Sequence, residues 1–245
     1  MVHKTKGIVL RQVKYGDTSL VVTCLTEMFG LQSYLVSGVR TISKNGASKA
    51  GFFQPAAMLD LVAYHNELKN LQRLKEYRWD YLYRNIFSDV PRHAVSLFMI
   101  ELLTKCLKQP EAHAELFYFA EESLQTLDMA SEKTVANFPL FFALHLPVFF
   151  GFRISNSIIA GPQFLDLQEG GFTSQQPAHS FYLEEAEALV VSHILKATRA
   201  ADLESLSLPR ELKRKMLQAV ESYYALHVPD FGHLRSLPVL KEIMS

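Results

Sequence analysis

Three cations in a small polar loop, Arg40, Lys44 and Lys49, are the side chains with the clearest chemistry. Segment 40–51 reads Arg-Thr-Ile-Ser-Lys-Asn-Gly-Ala-Ser-Lys-Ala-Gly, and residues 28–59 contain no acidic side chain. Lysine and arginine neutralise phosphates, and a Gly-rich backbone adapts its shape to a ligand. We therefore predict that this loop binds the phosphate backbone of a nucleic acid.

The distribution of charge agrees with this prediction. Residues 1–80 contain 11 Lys and Arg and 6 Asp and Glu, a net charge of +5. The remaining residues contain 14 and 19, a net charge of −5, so the whole chain is neutral only because its two parts cancel. This asymmetry favours a basic N-terminal part that binds an anionic partner.

The composition predicts folded protein in one large or two modest domains. Apolar residues make up 49% of the 245 positions and charged residues 20%. Cys24 and Cys106 each fall inside an apolar run, which predicts buried free thiols in a reducing, cytoplasmic compartment. No signal peptide is expected at residues 1–7, because no apolar run of the right length follows them. The most apolar stretch, Phe138–Phe152, is 15 residues long with two prolines and a histidine, which predicts a buried helix rather than a membrane span.

The first part of the chain has the pattern of short strands. Four are predicted, at residues 7–15, 20–26, 31–36 and 58–64, while the leucines of 71–77 suit a strand or a helix equally well. Strands at this spacing indicate a small closed barrel.

From Trp79 onwards the apolar period becomes helical. Helices are predicted from Pro91 to Leu107 and at residues 116–127, 134–150, 183–195 and 210–226. Between them, 153–181 is rich in Ser, Asn, Gly and Pro and predicts a hairpin or an irregular insertion. We therefore expect an α+β protein with a β-barrel domain at 1–78 and a helical domain at 79–245.

Sequence patterns of the common enzyme classes are missing. There is no phosphate-binding loop, dinucleotide fingerprint, zinc-protease motif or nucleophile elbow. The pairs Glu121-Glu122 and Glu184-Glu185 lie in helical patterns, where adjacent side chains point apart. His145 lies within an apolar helix and is interpreted as a hydrogen-bonded core histidine. We expect a protein that is not an enzyme and needs no cofactor.

Several segments together resemble the RecO family of bacterial recombination mediators. The most specific pair is Gly16-Asp-Thr-Ser19 after a strand and Phe53-Gln-Pro55 before another. Further matching segments are Thr5–Arg11, Lys14–Val21, Phe29–Leu31, Gly38–Arg40, Leu61–Tyr64, Leu71, Glu76, Arg210–Leu217, Tyr223–His227 and Leu234–Leu237. The resemblance covers both ends and most of the length.

This resemblance implies an N-terminal OB-fold and an all-helical second domain. It implies binding of single- and double-stranded DNA and annealing of complementary strands without ATP. It also implies work with RecR and with single-stranded DNA-binding protein to load RecA, in the cytoplasm and at the nucleoid.

One departure from the family concerns metal. Many members carry a four-cysteine zinc site in an insertion of the helical domain, whereas residues 153–181 contain no cysteine and offer only His179. One ligand does not make a zinc site. We therefore expect a zinc-less insertion that folds through its apolar side chains, namely Phe164, Leu165, Leu167 and Phe172.

An OB-fold binds single strands through a cationic groove and aromatic platforms. The candidate cations for DNA are Lys6, Arg11, Lys14, Arg40, Lys44 and Lys49, with Lys4 nearby. The candidate aromatics are Tyr15, Tyr34, Phe52 and Tyr64, which either stack on bases or fill the barrel. For these aromatics, filling the barrel is the favoured role.

A second candidate site lies in the helical domain. The family implies that this domain receives the acidic, apolar C-terminal tail of single-stranded DNA-binding protein, which requires a cationic rim. The densest cationic run there, 210–215, places Arg210 and Arg214 on one helix face. The alternative is an ordinary solvated helix surface.

Two other functions remain open at this level. A nuclease would need clustered carboxylates for a metal, of which the basic domain has almost none. A protein-interaction scaffold, or a nucleic-acid-binding protein without annealing activity, fits the same composition.

Overall fold

A computed structural model describes residues 1–41, 49–156 and 163–243. The chain divides into two compact units, which are described separately below. The first comprises Met1–Arg84 and Leu107–Gln125. The second comprises Asn85–Cys106 and Thr126–Ser245.

The first unit contains the predicted closed barrel. Its five strands are β1 (Val2–Tyr15), β2 (Ser19–Thr26), β3 (Gly30–Val36), β4 (Met58–Tyr64) and β5 (Leu71–Tyr81). They close in the order β1-β2-β3-β5-β4, antiparallel except for the β3–β5 pair. This confirms the α+β class and the OB-fold. The ambiguous segment 71–77 is a strand, because its first three residues pair with β3 and residues from Arg73 onwards pair with β4.

Strand β1 pairs with two neighbouring strands. Residues 2–8 of β1 pair with β4, residues 7–15 pair with β2, and a bulge interrupts the second pairing between Val9 and Arg11. Such a bulge bends a strand and lets one sheet curl into a barrel. Fully buried aliphatic and aromatic side chains fill the interior, among them Ile8, Val22, Tyr34, Leu59 and Leu61.

The first unit, called the barrel unit below, also includes Leu107–Gln125. Within this unit, Glu121 pairs with Lys6, and the Tyr118 hydroxyl donates to the Glu27 carboxylate. The predicted boundary at 78/79 falls inside β5, and the division into 1–78 and 79–245 stays a prediction.

The second unit is built mainly from helices. They are α1 (Val90–Cys106), the end of α2 (Ala114–Met129), α3 (Glu132–His145), α4 (Glu185–Lys196), α5 (Arg210–His227) and α6 (Ser236–Ile243). The sequence analysis predicted no helix where α6 forms. This helix begins where Glu101 accepts the backbone N–H groups of Arg235 and Ser236, a contact that could not be read from neighbouring residues.

The apolar helix runs further than its composition suggested. Helix α3 continues as a 3₁₀ turn to Phe150, so Glu132–Phe150 spans 19 residues with a mean hydropathy of 1.3. It is the only helix of the described ranges that is long and apolar enough to cross a membrane, which corrects the length argument. Because 67% of its most apolar 18-residue window is buried inside the protein, it is best described as a core helix.

The insertion forms a small sheet. Strands β6 (Phe164–Asp166), β7 (Gly171–Thr173) and β8 (Tyr182–Leu183) pair in the order β7-β6-β8. Leu165, Leu167 and Phe172 are buried as predicted. Phe164 is half-buried and meets the ring of Tyr182 edge to face.

Candidate nucleic-acid interface

The outer face of β2 and β3 carries no charge. Neither strand contains a charged residue, and their alternate side chains point into the barrel. The outward residues are half-buried aliphatic and hydroxyl side chains: Val21, Thr23, Leu31, Ser33 and Leu35. The surface is therefore neutral and can approach a polyanion without repulsion.

Cations border this neutral face on both sides. Strand pairing places Arg11 opposite Thr23 on one side and Arg73 beside Leu35 on the other. Because paired residues share a face of the sheet, both arginines lie on the outer surface. Both are exposed, and no carboxylate of the described ranges forms an ion pair with either. Sequence reasoning missed Arg73 because the secondary structure of 71–77 was ambiguous.

Two more predicted cations lie at the β1–β2 turn. The Arg40 guanidinium donates to the carbonyl oxygen of Gly16 at 2.8 Å, and its backbone N–H donates to the carbonyl oxygen of Thr18 at 3.0 Å. Lys14 is exposed one residue before Tyr15, where β1 ends, and pairs with Leu20. One guanidinium bond fixes Arg40, and its remaining N–H groups are available to phosphate oxygens.

Lys6 does not join this cationic group. Its ammonium lies 2.7 Å from Glu121 Oε1 and 3.3 Å from Asp80 Oδ2. The hydrogen bond to Glu121 is the largest of the contributions that raise the pKa of Lys6. Sequence reasoning placed Lys6 among the DNA-binding residues because Glu121 is distant along the chain, whereas in the fold two carboxylates neutralise it.

The loop cations are only partly described. Lys44 lies outside the described residues. Lys49 is exposed and begins a 3₁₀ turn, Lys49–Phe53, while Lys4 is exposed on the β1–β4 side of the barrel.

The four aromatic candidates divide evenly. Tyr34 is fully buried, and desolvation raises its pKa. Phe52 stacks on Trp79 at 4.9 Å between ring centroids. These two pack the barrel, whereas Tyr15 and Tyr64 are 55% and 49% exposed and are available to bases.

The cations of α5 differ in their surroundings. Arg210 and Arg214 are exposed, and the Arg214 guanidinium lies 3.3 Å from Glu211. Lys215 pairs with Glu187, and half-burial lowers the pKa of Lys213.

An apolar cavity lies on another face of the same helix. Leu165, Met216 and Tyr223 are among the residues that line it, and all three are buried. Arg210 and Arg214 are therefore not the rim of this cavity.

No candidate metal-binding site is found in the described ranges. They contain no group of three or more His, Cys, Asp or Glu side chains placed to hold an ion. His179 Nε2 lies 3.2 Å from Asp166 Oδ2, and its Nδ1 accepts the backbone N–H of Phe181.

Comparison with known proteins gives matches along almost the entire chain. The family model described as "Recombination protein O N terminal" matches residues 1–82, and the model described as "Recombination protein O C terminal" matches residues 88–238. A DNA repair protein RecO from Phocaeicola vulgatus is 31% identical over 245 residues, covering 100% of both chains. Proteins of the same description from Bacteroides fragilis and Azobacteroides pseudotrichonymphae are 32% and 29% identical, each covering 99% of both chains.

Proposed function

The chain belongs to the RecO family of DNA repair proteins and has a role in DNA repair and recombination, and from this premise we propose how it acts on DNA. It binds DNA on the outer face of β2 and β3, anneals complementary strands without ATP and helps to load RecA on single-stranded DNA. The observation that supports this most directly is the neutral strand face bordered by Arg11 and Arg73. OB-folds bind oligonucleotides on this face and its flanking loops.

The distribution of charge favours contacts to the DNA backbone. Arg11 and Arg73 are exposed cations at the edges of the face, Lys14 and Arg40 lie at the β1–β2 turn, and Lys49 lies between β3 and β4. Exposed aromatic platforms are few, so phosphates rather than stacked bases supply most of the affinity. Backbone contacts tolerate both single and double strands.

Annealing on this surface needs no covalent chemistry. Cations that neutralise phosphates on two strands lower the repulsion between them, and base pairing supplies the driving force. We therefore assign the protein no enzymatic activity and no cofactor, and we place it in the cytoplasm at the nucleoid.

A salt titration with labelled single-stranded oligonucleotides tests the proposal. Binding to DNA should weaken steeply with salt, and annealing should proceed equally with and without nucleotide. Neutralising Arg40, Lys44 and Lys49 together should reduce the slope of log K against log salt by up to about 0.7 per lost phosphate contact. A folded protein without salt-dependent DNA binding would favour the scaffold function instead.

The proposed protein partners are RecR and the acidic tail of single-stranded DNA-binding protein. We keep Arg210 and Arg214 as the cations for that tail, because both are exposed on α5. Reversing both to glutamate should abolish binding of a tail peptide and spare binding of naked DNA. Unchanged peptide affinity would place the tail site elsewhere, and lost DNA binding would contradict the separate roles of the two sites.

A further inference from the structure

A cleft opens on the outer face of the barrel beside the loop of residues 65–70. Strands β2 and β3 form its floor, and the loop between β4 and β5 forms one wall. Its lining includes Thr23, Leu31, Ser33, His65, Asn66 and Pro110. Glu67 and Lys69 also line it and cancel in charge, so the cleft attracts neither anions nor cations.

Hydrogen-bonding groups face an occupant of the cleft. The hydroxyls of Thr23 and Ser33 lie 3.2 Å apart, so one donates to the other and a second hydroxyl hydrogen remains. Asn66 Oδ1 accepts the backbone N–H of Leu68 at 2.9 Å. No contact within the described ranges uses Asn66 Nδ2, which leaves its two N–H groups for a ligand.

The wall of the cleft is held in shape by one buried side chain. Gln72 Nε2 donates to the carbonyl oxygens of Asn66 and Lys69 at 2.8 and 2.6 Å, and Gln72 Oε1 accepts the Asn66 N–H at 3.0 Å. His65 stacks on Phe29 with ring centroids 3.9 Å apart. A site fixed in this way loses little conformational entropy when a ligand binds.

Arg11 lies one strand away from this cleft. It pairs with Thr23, and Thr23 pairs with Ser33, so the three residues form one row across β1, β2 and β3. Neighbouring strands are about 4.8 Å apart. A phosphate on Arg11 would therefore place the attached nucleotide directly beside the cleft.

We propose that this cleft takes one unstacked nucleobase of a DNA strand whose phosphate lies on Arg11. A base has flat apolar faces, which suit Leu31 and Pro110, and a polar edge, which suits the hydroxyl and amide groups. The cancelled charge of the cleft argues against a phosphate at the same position. Because a paired base cannot enter, the site gives single strands an advantage that the backbone contacts alone do not. This proposal rests on the proposed DNA binding by the same face.

Abasic DNA tests the proposal, because it keeps every phosphate and loses the bases. Affinities for oligothymidylate and for a matched oligonucleotide with interior abasic positions are compared for the wild-type protein and the Thr23→Val/Ser33→Ala variant. The wild-type protein should bind the abasic strand about two- to tenfold more weakly, the range expected for lost hydrogen bonds. The variant should bind both strands with the affinity that the wild-type protein has for the abasic strand. The salt dependence of its binding should be unchanged.

Ser19→Ala is the matched control, because it removes a hydroxyl from the same strand outside the cleft, and it should keep the wild-type ratio. Equal wild-type affinities for the two strands, or an unchanged ratio in the folded double variant, would overturn the proposal while leaving salt-dependent DNA binding intact. If the wild-type protein binds neither strand, the proposed function itself is refuted.

A second measurement applies if the double variant does not fold. In it, 2-aminopurine placed in the DNA strand reports on base unstacking by the wild-type protein. Its fluorescence should rise as the base unstacks on binding, and an unchanged signal would overturn the proposal.

Discussion

Lys6 and Glu121 lie 115 positions apart in the chain, yet the ammonium of one is 2.7 Å from the carboxylate of the other. The second carboxylate, from Asp80, lies 3.3 Å away. A phosphate that approached Lys6 would have to displace both carboxylates and would meet their negative charge. Arg11, on the same strand, pairs with no carboxylate of the described chain.

This difference predicts opposite effects for two similar substitutions. Arg11→Gln should lower the salt slope of binding to single-stranded DNA by about 0.7, since one phosphate contact is lost. Lys6→Gln should leave that slope unchanged and lower the free energy of unfolding by about 1 kcal/mol, as expected for a partly exposed ion pair. Salt titrations and urea unfolding of both variants measure the two effects. A reduced slope for Lys6→Gln would return Lys6 to the DNA-binding set.

Gly30 provides a test of the barrel unit. Its φ of +60° is a backbone conformation that favours glycine, and a Cβ there would lie 1.9 Å from the backbone oxygen of Glu111. Gly16 has a similar φ of +56° but open space around it. Gly16→Ala should therefore cost about 1–2 kcal/mol from backbone strain alone. Gly30→Ala should cost at least about 2 kcal/mol more, because backbone must move to admit the methyl group. Thermal unfolding of both variants measures the difference, and equal losses would show that residues 107–113 do not pack closely on Gly30.

Local sequence patterns predicted most of the barrel. The strands at β2, β3 and β4 follow from β-branched and apolar runs between turn residues such as Gly16 and Gly30. Strand β5 could not be assigned from the sequence, because leucines at 71 and 74 suit the period of a strand and that of a helix. Its pairing with β4 identifies it as a strand.

The candidate site depends on strand pairing more than on residue type. The loop cations could be predicted as DNA-binding residues from their positions in one polar segment. Arg73 could be identified only from the strand pairing that places it beside Leu35. Lys6 shows the reverse case. Its charge predicted a DNA-binding role, whereas in the fold it forms an ion pair with Glu121, which is distant in the sequence.

The insertion should be stable without metal. Leu165, at 0% exposure, is the centre of its small sheet. Leu165→Ala should cost about 2–5 kcal/mol, the range for a large buried aliphatic side chain. Gln168→Ala, an exposed turn position, should stay within about 0.5 kcal/mol. A chelator should leave the melting temperature of the wild-type protein unchanged, and elemental analysis that finds one zinc per chain would refute the metal-free insertion.

His145 should make the helical unit sensitive to acid. Burial lowers its pKa from 6.5, although the carbonyl oxygens of Phe141 and Ala197, 2.8 and 3.1 Å from the two ring nitrogens, partly oppose this effect because they favour the protonated ring. The folded chain therefore binds the proton at a lower pH than the unfolded chain does. Below pH 6.5 the unfolded state holds more protons, so the contribution of His145 to stability is complete above that pH and decreases as the pH falls towards the folded pKa. Urea unfolding of the wild-type protein and His145→Gln across this range measures the effect. The variant should lose less stability on acidification than the wild-type protein does, and parallel pH profiles would show that the folded and unfolded pKa values of His145 are the same.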